Sequence, residues 1–269
     1  MNKGWPSMLW NLYNSDGDQA GSYFGTQEAD KTLHALYALD NGTVTLDNLS
    51  NTAQSGLTVE AKVYNLAGTV LDDQTSGSVS LSSQQVLNNV LTPKVPASGS
   101  TPAQTYFVEL QLKQNGSLAD RNVYWLSTQP DQVNWSKTLG QPQGSIAQYA
   151  NLQALQTLPQ SAISATASTS TAAGPDGADR ATTVTITNTS ASAAAFLIRA
   201  DIRRGTAAGQ ELSGDNELQS SIWKNNDITL FPGESQTLTV TYDSADLQGA
   251  TPVVSLSGWN LPKTDIAAP

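Results

Sequence analysis

The chain has 269 residues, a formal net charge of −10 and no cysteine. The acidic balance is unsuited to neutralising phosphates, so we expect neither nucleic acid nor an anionic membrane surface as a partner. No apolar run approaches the roughly 18 residues needed to cross a bilayer. The lack of cysteine excludes disulfides, zinc–thiolate sites and thiol nucleophiles.

The first segment has the pattern of a single β/α unit. The apolar run 7–13 follows a proline and predicts a strand buried on both faces. Residues 19–31 predict a helix of about three turns, with Asp18 as its cap. One such unit cannot bury both faces of its strand without neighbours. We therefore expect residues 1–31 to be poorly ordered or to pack non-natively on the domain that follows.

The loop between this strand and helix has a partial calcium pattern. Asn14, Asp16 and Asp18 have the one–three–five spacing of a calcium-binding loop. Gln19 stands where the sharp-turn glycine belongs, and Gly25 stands where the bidentate glutamate belongs. We therefore predict a solvated loop without a metal ion, and no cofactor elsewhere in the chain.

From Thr32 onward the apolar residues repeat with period two, which is typical of half-buried strands. The first series of expected strands ends near Leu126, and its first hairpin turns at Asn41-Gly42. A second series begins near Ile163 and contains a turn at Pro232-Gly233. The expected strands are 33–39, 43–47, 57–64, 70–71, 78–81, 106–113, 121–126, 182–188, 194–203, 227–231, 235–242 and 253–259.

This pattern predicts a mainly β protein with two immunoglobulin-like β-sandwiches. Residues 128–160 between them predict a connector with partial helical character. Trp135 and Tyr149 suggest that the connector packs against a domain. The predicted parts are 1–31, 32–128, 129–160 and 161–269.

Histidine chemistry rests on a single residue, because His34 is the only histidine. A single histidine excludes a His-rich metal site, and any Ser-His-Asp arrangement would have to use His34. Its position in an alternating stretch favours an imidazole on the outer face of a strand. The glutamates are scattered through predicted strands and loops, and none follows an apolar run as a barrel acid would. We therefore predict no catalytic residue in this chain.

Aromatic side chains are the candidates for sugar binding. Trp5, Trp10 and Tyr13 cluster at the end of the predicted buried strand, where aromatic faces can stack on sugar rings. Plain core packing is the alternative for all three. The remaining tryptophans, which are expected to be sandwich core or interdomain filler, are Trp125, Trp135, Trp223 and Trp259.

Three parts of the chain carry recognisable motifs: residues 4–13 with 19–26, residues 122–127, and residues 223–234 with 257–260. Together they resemble glycoside hydrolase family 2, in its exo-β-D-glucosaminidase and endo-β-mannosidase branch. The run 4–13 with the step 19–26 resembles the last strand and helix of the family's barrel. Residues 122–127 resemble the closing strand of its fourth domain. The motifs 223–234 and 257–260 resemble its C-terminal immunoglobulin-like domain.

The resemblance implies that residues 1–31 are a remnant of the last strand and helix of a (β/α)8 barrel. It further implies that the catalytic glutamates lie on earlier strands that this chain does not contain. Trp10 matches a tryptophan that lines the family's active-site pocket, and Trp5 and Tyr13 are additional substrate-binding candidates.

The chain is thus expected to be the C-terminal, non-catalytic portion of a retaining β-glycosidase, inactive alone. Its expected partners are a β-mannoside, a glucosaminide or a chitosan-type carbohydrate in the intact enzyme, and the missing barrel region. A bacterial, periplasmic or secreted setting is favoured for the parent enzyme. The alternatives are a carbohydrate-binding or adhesion module of two sandwiches, and a purely structural tandem sandwich.

Overall fold

The computed structural model describes residues 12–14, 17–172, 174 and 177–269. These residues form a mainly β protein of antiparallel sheets, which confirms the predicted fold class. The predicted strand 7–13 lies almost entirely outside the described residues. The contacts define two compact units, Asp30–Leu158 and Pro159–Pro269, and the described residues up to Ala29 belong to the second. Within the described part, no helix has the length and apolarity that a bilayer span requires.

The first unit is a sandwich of two antiparallel sheets. A three-stranded sheet has the order β1-β2-β6, and a larger sheet has the order β4-β3-β7-β8 with β5 paired to β3. Their facing side chains form a buried apolar core that includes Val44, Val63 and Leu110. The strands are β1 (Leu33–Ala38), β2 (Thr43–Asn48), β3 (Gln54–Asn65), β4 (Val70–Thr75), β5 (Val79–Leu81), β6 (Gln85–Leu91), β7 (Thr105–Gln114) and β8 (Ser117–Ser127).

Turn chemistry fixes two hairpins of this sandwich. Gly42 has φ +72° between β1 and β2, as the predicted turn requires, and the Asn41 side chain accepts a hydrogen bond from the Thr43 amide at 3.0 Å. Asn115 and Gly116 join β7 to β8 with φ +51° and +84°. Two consecutive positive φ angles are the geometry of a type I′ turn, which matches the twist of the paired strands.

The second unit is also a sandwich. One sheet has the order β11-β12-β16-β14 and the other has the order β15-β13-β17-β18. Val184, Ile198, Leu238 and Leu256 are among the fully buried residues between the sheets. The strands are β11 (Ile163–Thr171), β12 (Arg180–Asn188), β13 (Ala195–Gly205), β14 (Ile222–Trp223), β15 (Ile228–Leu230), β16 (Ser235–Tyr242), β17 (Thr251–Gly258) and β18 (Leu261–Ala267).

The only helix in the described residues that precedes β1 packs on the second sandwich. This helix, α1 (Gly21–Ala29), is shorter than the predicted span 19–31. Phe24 of α1 is 3% exposed and belongs to the apolar core of the second sandwich. We expected residues 1–31 to be poorly ordered or to pack on the first sandwich. The residues of α1 instead pack on the second sandwich, because Phe24 belongs to its apolar core.

Two asparagines explain part of the motif resemblance in structural terms. Asn226 accepts from the Ala200 amide at 2.8 Å and donates to the Ala200 carbonyl at 2.7 Å, so it completes the pairing of β13. Asn260 accepts from the Phe196 amide at 3.0 Å and donates to the carbonyls of Pro159 and Ala194. Both residues are buried, and both satisfy backbone groups that would otherwise be orphaned.

The connector contributes short elements to the first unit. It contains β9 (Gln132–Val133), the one-turn helix α2 (Trp135–Thr138), β10 (Ile146–Gln148) and a 3₁₀ helix at Gln153–Thr157. Leu155 and Leu158 are buried, whereas Trp135 and Tyr149 are 67% and 72% exposed. The two aromatic residues that suggested packing of the connector are therefore exposed, whereas two of its leucines are buried.

Candidate functional site

The structure describes one of the three predicted sugar-binding residues. Trp5 and Trp10 lie outside the described residues, whereas Tyr13 is partly buried near the start of the described chain. Tyr13 forms an antiparallel bridge with Gln19. The role of all three residues in substrate binding stays a prediction, and Tyr13 supplies the geometry from which it can be developed.

Tyr13 lies in a closed hairpin, which we call the N-terminal hairpin and define as residues 12–14 and 17–20. The Asn14 amide donates to the Asp18 carbonyl at 2.8 Å, and the Ala20 amide donates to the Leu12 carbonyl at 3.3 Å. Gly17 has φ +93°, which favours glycine at the turn. Asp18 belongs to this hairpin and is separated from α1, so our prediction that it caps the helix is wrong.

A chain of aromatic contacts connects Tyr13 to the core of the second sandwich. The rings of Tyr13 and Tyr23 meet edge to face with centroids 6.4 Å apart. Tyr23 in turn meets Phe24 edge to face at 5.2 Å. Because edge-to-face pairs of this spacing are favourable, the buried ring of Phe24 restricts the orientation of the outer ring of Tyr13.

An acidic cluster lies beside the hairpin. Asp18, Asp201 and Glu217 each offer a carboxylate oxygen within 4.8 Å of the others. This spacing is close to the roughly 5 Å between the two carboxyl groups of a retaining glycosidase, and carboxylates can also bind calcium. Among the described residues, this cluster is therefore a candidate site for catalysis or for metal binding.

Two arginines form ion pairs with the carboxylates of this cluster. Arg199 contacts Asp18 and Asp201, and Arg203 contacts Asp201 at 3.6 Å and Glu217 at 3.0 Å. The guanidinium groups supply the positive charge that a cation would bring, and they occupy the carboxylate oxygens that a sugar would need. The geometry consequently fits an ion-pair network better than a hydrolytic pair.

Burial shifts the pKa values within this network. Burial and the charge of Asp201 raise the pKa of Glu217 above its usual value, against the opposing effect of Arg203. Burial also raises the pKa of Asp227, although Arg199 opposes it. Burial acts to lower the pKa of Arg199, but the surrounding carboxylates raise it overall. The protonated form of Arg199 is thus favoured, whereas the ionised forms of Glu217 and Asp227 are disfavoured.

A polar cleft of about 290 Å³ adjoins the cluster. Asp215, Glu217 and Asp246 contribute carboxylates to its lining, and no aromatic side chain appears among the described residues that line it. A sugar subsite normally includes an apolar or aromatic face for the ring. The cleft therefore lacks the wall on which a sugar would stack.

Other glutamates are not brought together into a catalytic pair. Glu109 is 1% exposed, accepts from the Tyr64 hydroxyl at 3.1 Å and pairs with Arg121 at 2.6 Å. Glu60 pairs with two lysines, and Glu211 pairs with Arg203. These carboxylates contribute to structural networks of the two sandwiches.

His34 is buried, so our prediction that its imidazole lies on the outer face of a strand is wrong. Its Nδ1 lies 2.9 Å from Asp120 Oδ2, although the ring N–H is not aligned with that oxygen. The Asn122 amide nitrogen lies 3.1 Å from Nε2 and donates to the Ala35 carbonyl at the same distance. Because that amide nitrogen is a donor, Nε2 is the acceptor in this contact.

The pair of His34 and Asp120 resembles part of a catalytic triad, but both ring nitrogens already face protein groups. No ring nitrogen is left to activate a hydroxyl nucleophile. Burial acts to raise the pKa of Asp120, but His34, the Ala35 amide and Lys31 hold it below its usual value. The cluster links β1 to β8 and is structural.

The other tryptophans differ in burial. Trp223 is 5% exposed in the core of the second sandwich, as expected. Trp125, Trp135 and Trp259 are 40%, 67% and 57% exposed, so they are not sandwich core. The rings of Trp259 and Phe196 meet edge to face with their centroids 6.4 Å apart.

A family model supports the resemblance that the motifs indicated. The model of the exo-β-D-glucosaminidase Ig-fold domain matches residues 143–261. These residues belong to that domain family. The wider chain is 37% identical to an exo-β-D-glucosaminidase of Streptomyces avermitilis over 99% of its length, and 37% identical to one of Amycolatopsis orientalis over 97%. It spans only 28% and 24% of the length of these relatives.

Solved structures agree with the family assignment. The exo-chitosanase of Amycolatopsis orientalis matches 99% of the chain at 36% identity with a TM-score of 0.82, and the match covers 30% of that enzyme. The β-D-mannosidase of Dictyoglomus thermophilum matches 97% of the chain at 13% identity with a TM-score of 0.58. The second similarity concerns the fold alone. The predicted relationship to the glucosaminidase branch is confirmed.

Proposed function

We propose that this chain is the C-terminal, non-catalytic portion of a retaining β-glycosidase of the exo-β-D-glucosaminidase type. The observation that carries the proposal is similarity over 99% of this chain to enzymes of that name, of which it spans less than one third. The pairing of the acidic cluster with Arg199 and Arg203 adds support, because it leaves no suitable pair of carboxylates at the cluster.

Within this proposal, residues 1–31 are the last strand and helix of the parent barrel, followed by two sandwiches and a connector at 129–160. Trp10, Trp5 and Tyr13 line the sugar subsite of the intact enzyme. The substrate is a β-linked glucosaminide rather than a β-mannoside, since the mannosidase similarity is limited to 13% identity. The missing barrel region is the partner that supplies both catalytic carboxyl groups.

A chimera tests the proposal. This chain replaces the matching 30% of the Amycolatopsis orientalis exo-chitosanase, and hydrolysis of p-nitrophenyl β-D-glucosaminide is measured. The same enzyme truncated at the junction is the control. We expect the chimera to hydrolyse the glucosaminide and the truncated enzyme to be inactive. A folded chimera without activity would contradict the proposal, and equal activity on a β-mannoside would contradict the substrate choice.

Exposed aromatic residues favour a second candidate, a carbohydrate-binding tandem sandwich. Trp135, Tyr149 and Trp259 present rings to solvent, and such rings can act as sugar platforms. Calorimetric titration of the complete chain with chitosan oligosaccharides tests this candidate. Binding that is lost in Trp135→Ala or Trp259→Ala would support it, and no heat of binding would refute it.

A further inference from the structure

We propose that Arg199 is a positioning residue that fixes the N-terminal hairpin and thereby the ring of Tyr13. The link to substrate rests on the proposed function, in which Tyr13 lines the sugar subsite. The mechanical part of the inference rests on the contacts alone. In this view the second sandwich sets the geometry of an aromatic residue that serves the active site of the intact enzyme.

The Arg199 guanidinium contacts both the N-terminal hairpin and the second sandwich. It forms a charged contact with Asp18, and its Nη1 donates to the Gln19 carbonyl at 3.1 Å. The same group contacts Asp227 Oδ2 and Asp201 Oδ1, each at 3.3 Å. Two of these partners belong to the hairpin and two belong to the sandwich. One planar side chain therefore ties the two together.

The side chain of Gln19, which is 8% exposed, also attaches the hairpin to the second sandwich. Its Oε1 accepts from the Trp223 amide at 3.1 Å, and its Nε2 donates to the Ser221 carbonyl at 3.0 Å. Gly17 approaches the same segment so closely that a Cβ atom there would lie 3.2 Å from the Gln219 carbonyl oxygen. The hairpin thus follows the backbone at 219–223 at three points.

The arrangement of these partners requires an arginine at position 199. Arg presents donors in a fixed planar fork, whereas Lys offers a compact charge on a flexible stem. Only the planar guanidinium can contact Asp18, the Gln19 carbonyl and the carboxylates of the sandwich at the same time. Isolated ion pairs at a surface contribute little to stability. We therefore expect this network to hold the hairpin in one geometry and to contribute little to overall stability.

Hydrogen exchange of the complete 269-residue chain tests the mechanical part. In Arg199→Gln, we expect the amides of Asn14, Ala20 and Tyr23 to exchange at least tenfold faster, while those of β12 and β16 keep their rates. Arg199→Lys should restore the protection only in part. Arg204→Gln is the matched control, since Arg204 contacts the Asp215 carbonyl, and it should leave the hairpin unchanged.

A second variant controls for general destabilisation by Arg199→Gln, which leaves Asp227 without its guanidinium partner and leaves Asp201 with Arg203 alone. Asp18→Asn removes the charged contact from the hairpin side and leaves the sandwich carboxylates paired. It should also speed exchange in the hairpin without changing β12 or β16. Unchanged hairpin exchange in both variants, or faster exchange throughout the sandwich in both, would overturn the inference.

Kinetics in the chimera test the functional part. A displaced Tyr13 platform weakens sugar binding, so Arg199→Gln should raise KM about tenfold with a smaller change in kcat. Arg204→Gln should leave both parameters unchanged. Faster hairpin exchange with unaltered KM would overturn the positioning role. A chimera that is inactive with the native Arg199 would refute the proposed function, and hydrogen exchange would still decide whether Arg199 holds the hairpin.

Discussion

Replacing Phe24 by alanine probes the unexpected packing of α1. A buried aromatic side chain removes about 150–250 Å² from water. Most of this area is lost on truncation, and at ~25 cal/mol per Å² the transfer contribution is about 3 kcal/mol. The cavity left in the apolar core adds to this, so we expect a total loss of about 3–5 kcal/mol from the unfolding free energy of the second unit.

Native-state hydrogen exchange measures this loss separately in each unit. Amides of β12 and β16 report the second unit, and amides of β3 and β7 report the first. Phe24→Ala should lower protection only in β12 and β16, or unfold the second unit outright. Phe24→Leu, which keeps most of the volume, should cost less than half as much.

Two results would refute this reasoning. Unchanged protection in β12 and β16 would mean that α1 is only loosely attached to the second sandwich. A loss confined to β3 and β7 would mean that α1 is bound to the first sandwich, as its position in the sequence suggests.

Three further substitutions give distinct results. Asn226→Ala should cost about 1–3 kcal/mol in urea unfolding because it orphans a buried backbone amide, whereas its neighbour Asn225→Ala should cost little. Asp120 has a lowered pKa, so its contribution to stability is present above its ordinary value of 3.8 and is lost as pH falls through the lowered value. Asp120→Asn should therefore flatten the acid side of the stability profile of the first unit, and an unchanged slope would contradict this. Glu217 has a raised pKa, so its ionised form costs stability that is recovered as pH falls through the raised value. Glu217→Gln should consequently not destabilise the second unit at pH 7, and a clear drop in melting temperature there would count against the pKa direction.

The strands with regular alternation were predictable from sequence. The residues that form β3 and β16 alternate between the core and the outside, as their sequences indicate. Several strands were missed, and two of them were missed for an identifiable physical reason. The pattern of β6 is interrupted at Asn89, which has φ +59°, and β18 includes Pro262, which sequence rules associate with edge strands.

The long-range contacts were not predictable from local pattern. Arg199 and Asp18 are 181 residues apart, and nothing near either residue indicates the other. The same holds for His34, whose burial depends on Asp120 and Asn122 in a strand at the far end of the first sandwich sequence. Periodicity identifies which face of an element is apolar, but the partner of that face is decided by the tertiary fold.

The residues that the structure describes do not form the pair of free carboxyl groups that glycosidic hydrolysis requires. The most direct test is incubation of the purified 269-residue chain with p-nitrophenyl β-D-glucosaminide, followed by measurement of released p-nitrophenol. We expect no release above that of buffer alone. Reproducible turnover that disappears in Asp201→Asn or Glu217→Gln would contradict this expectation.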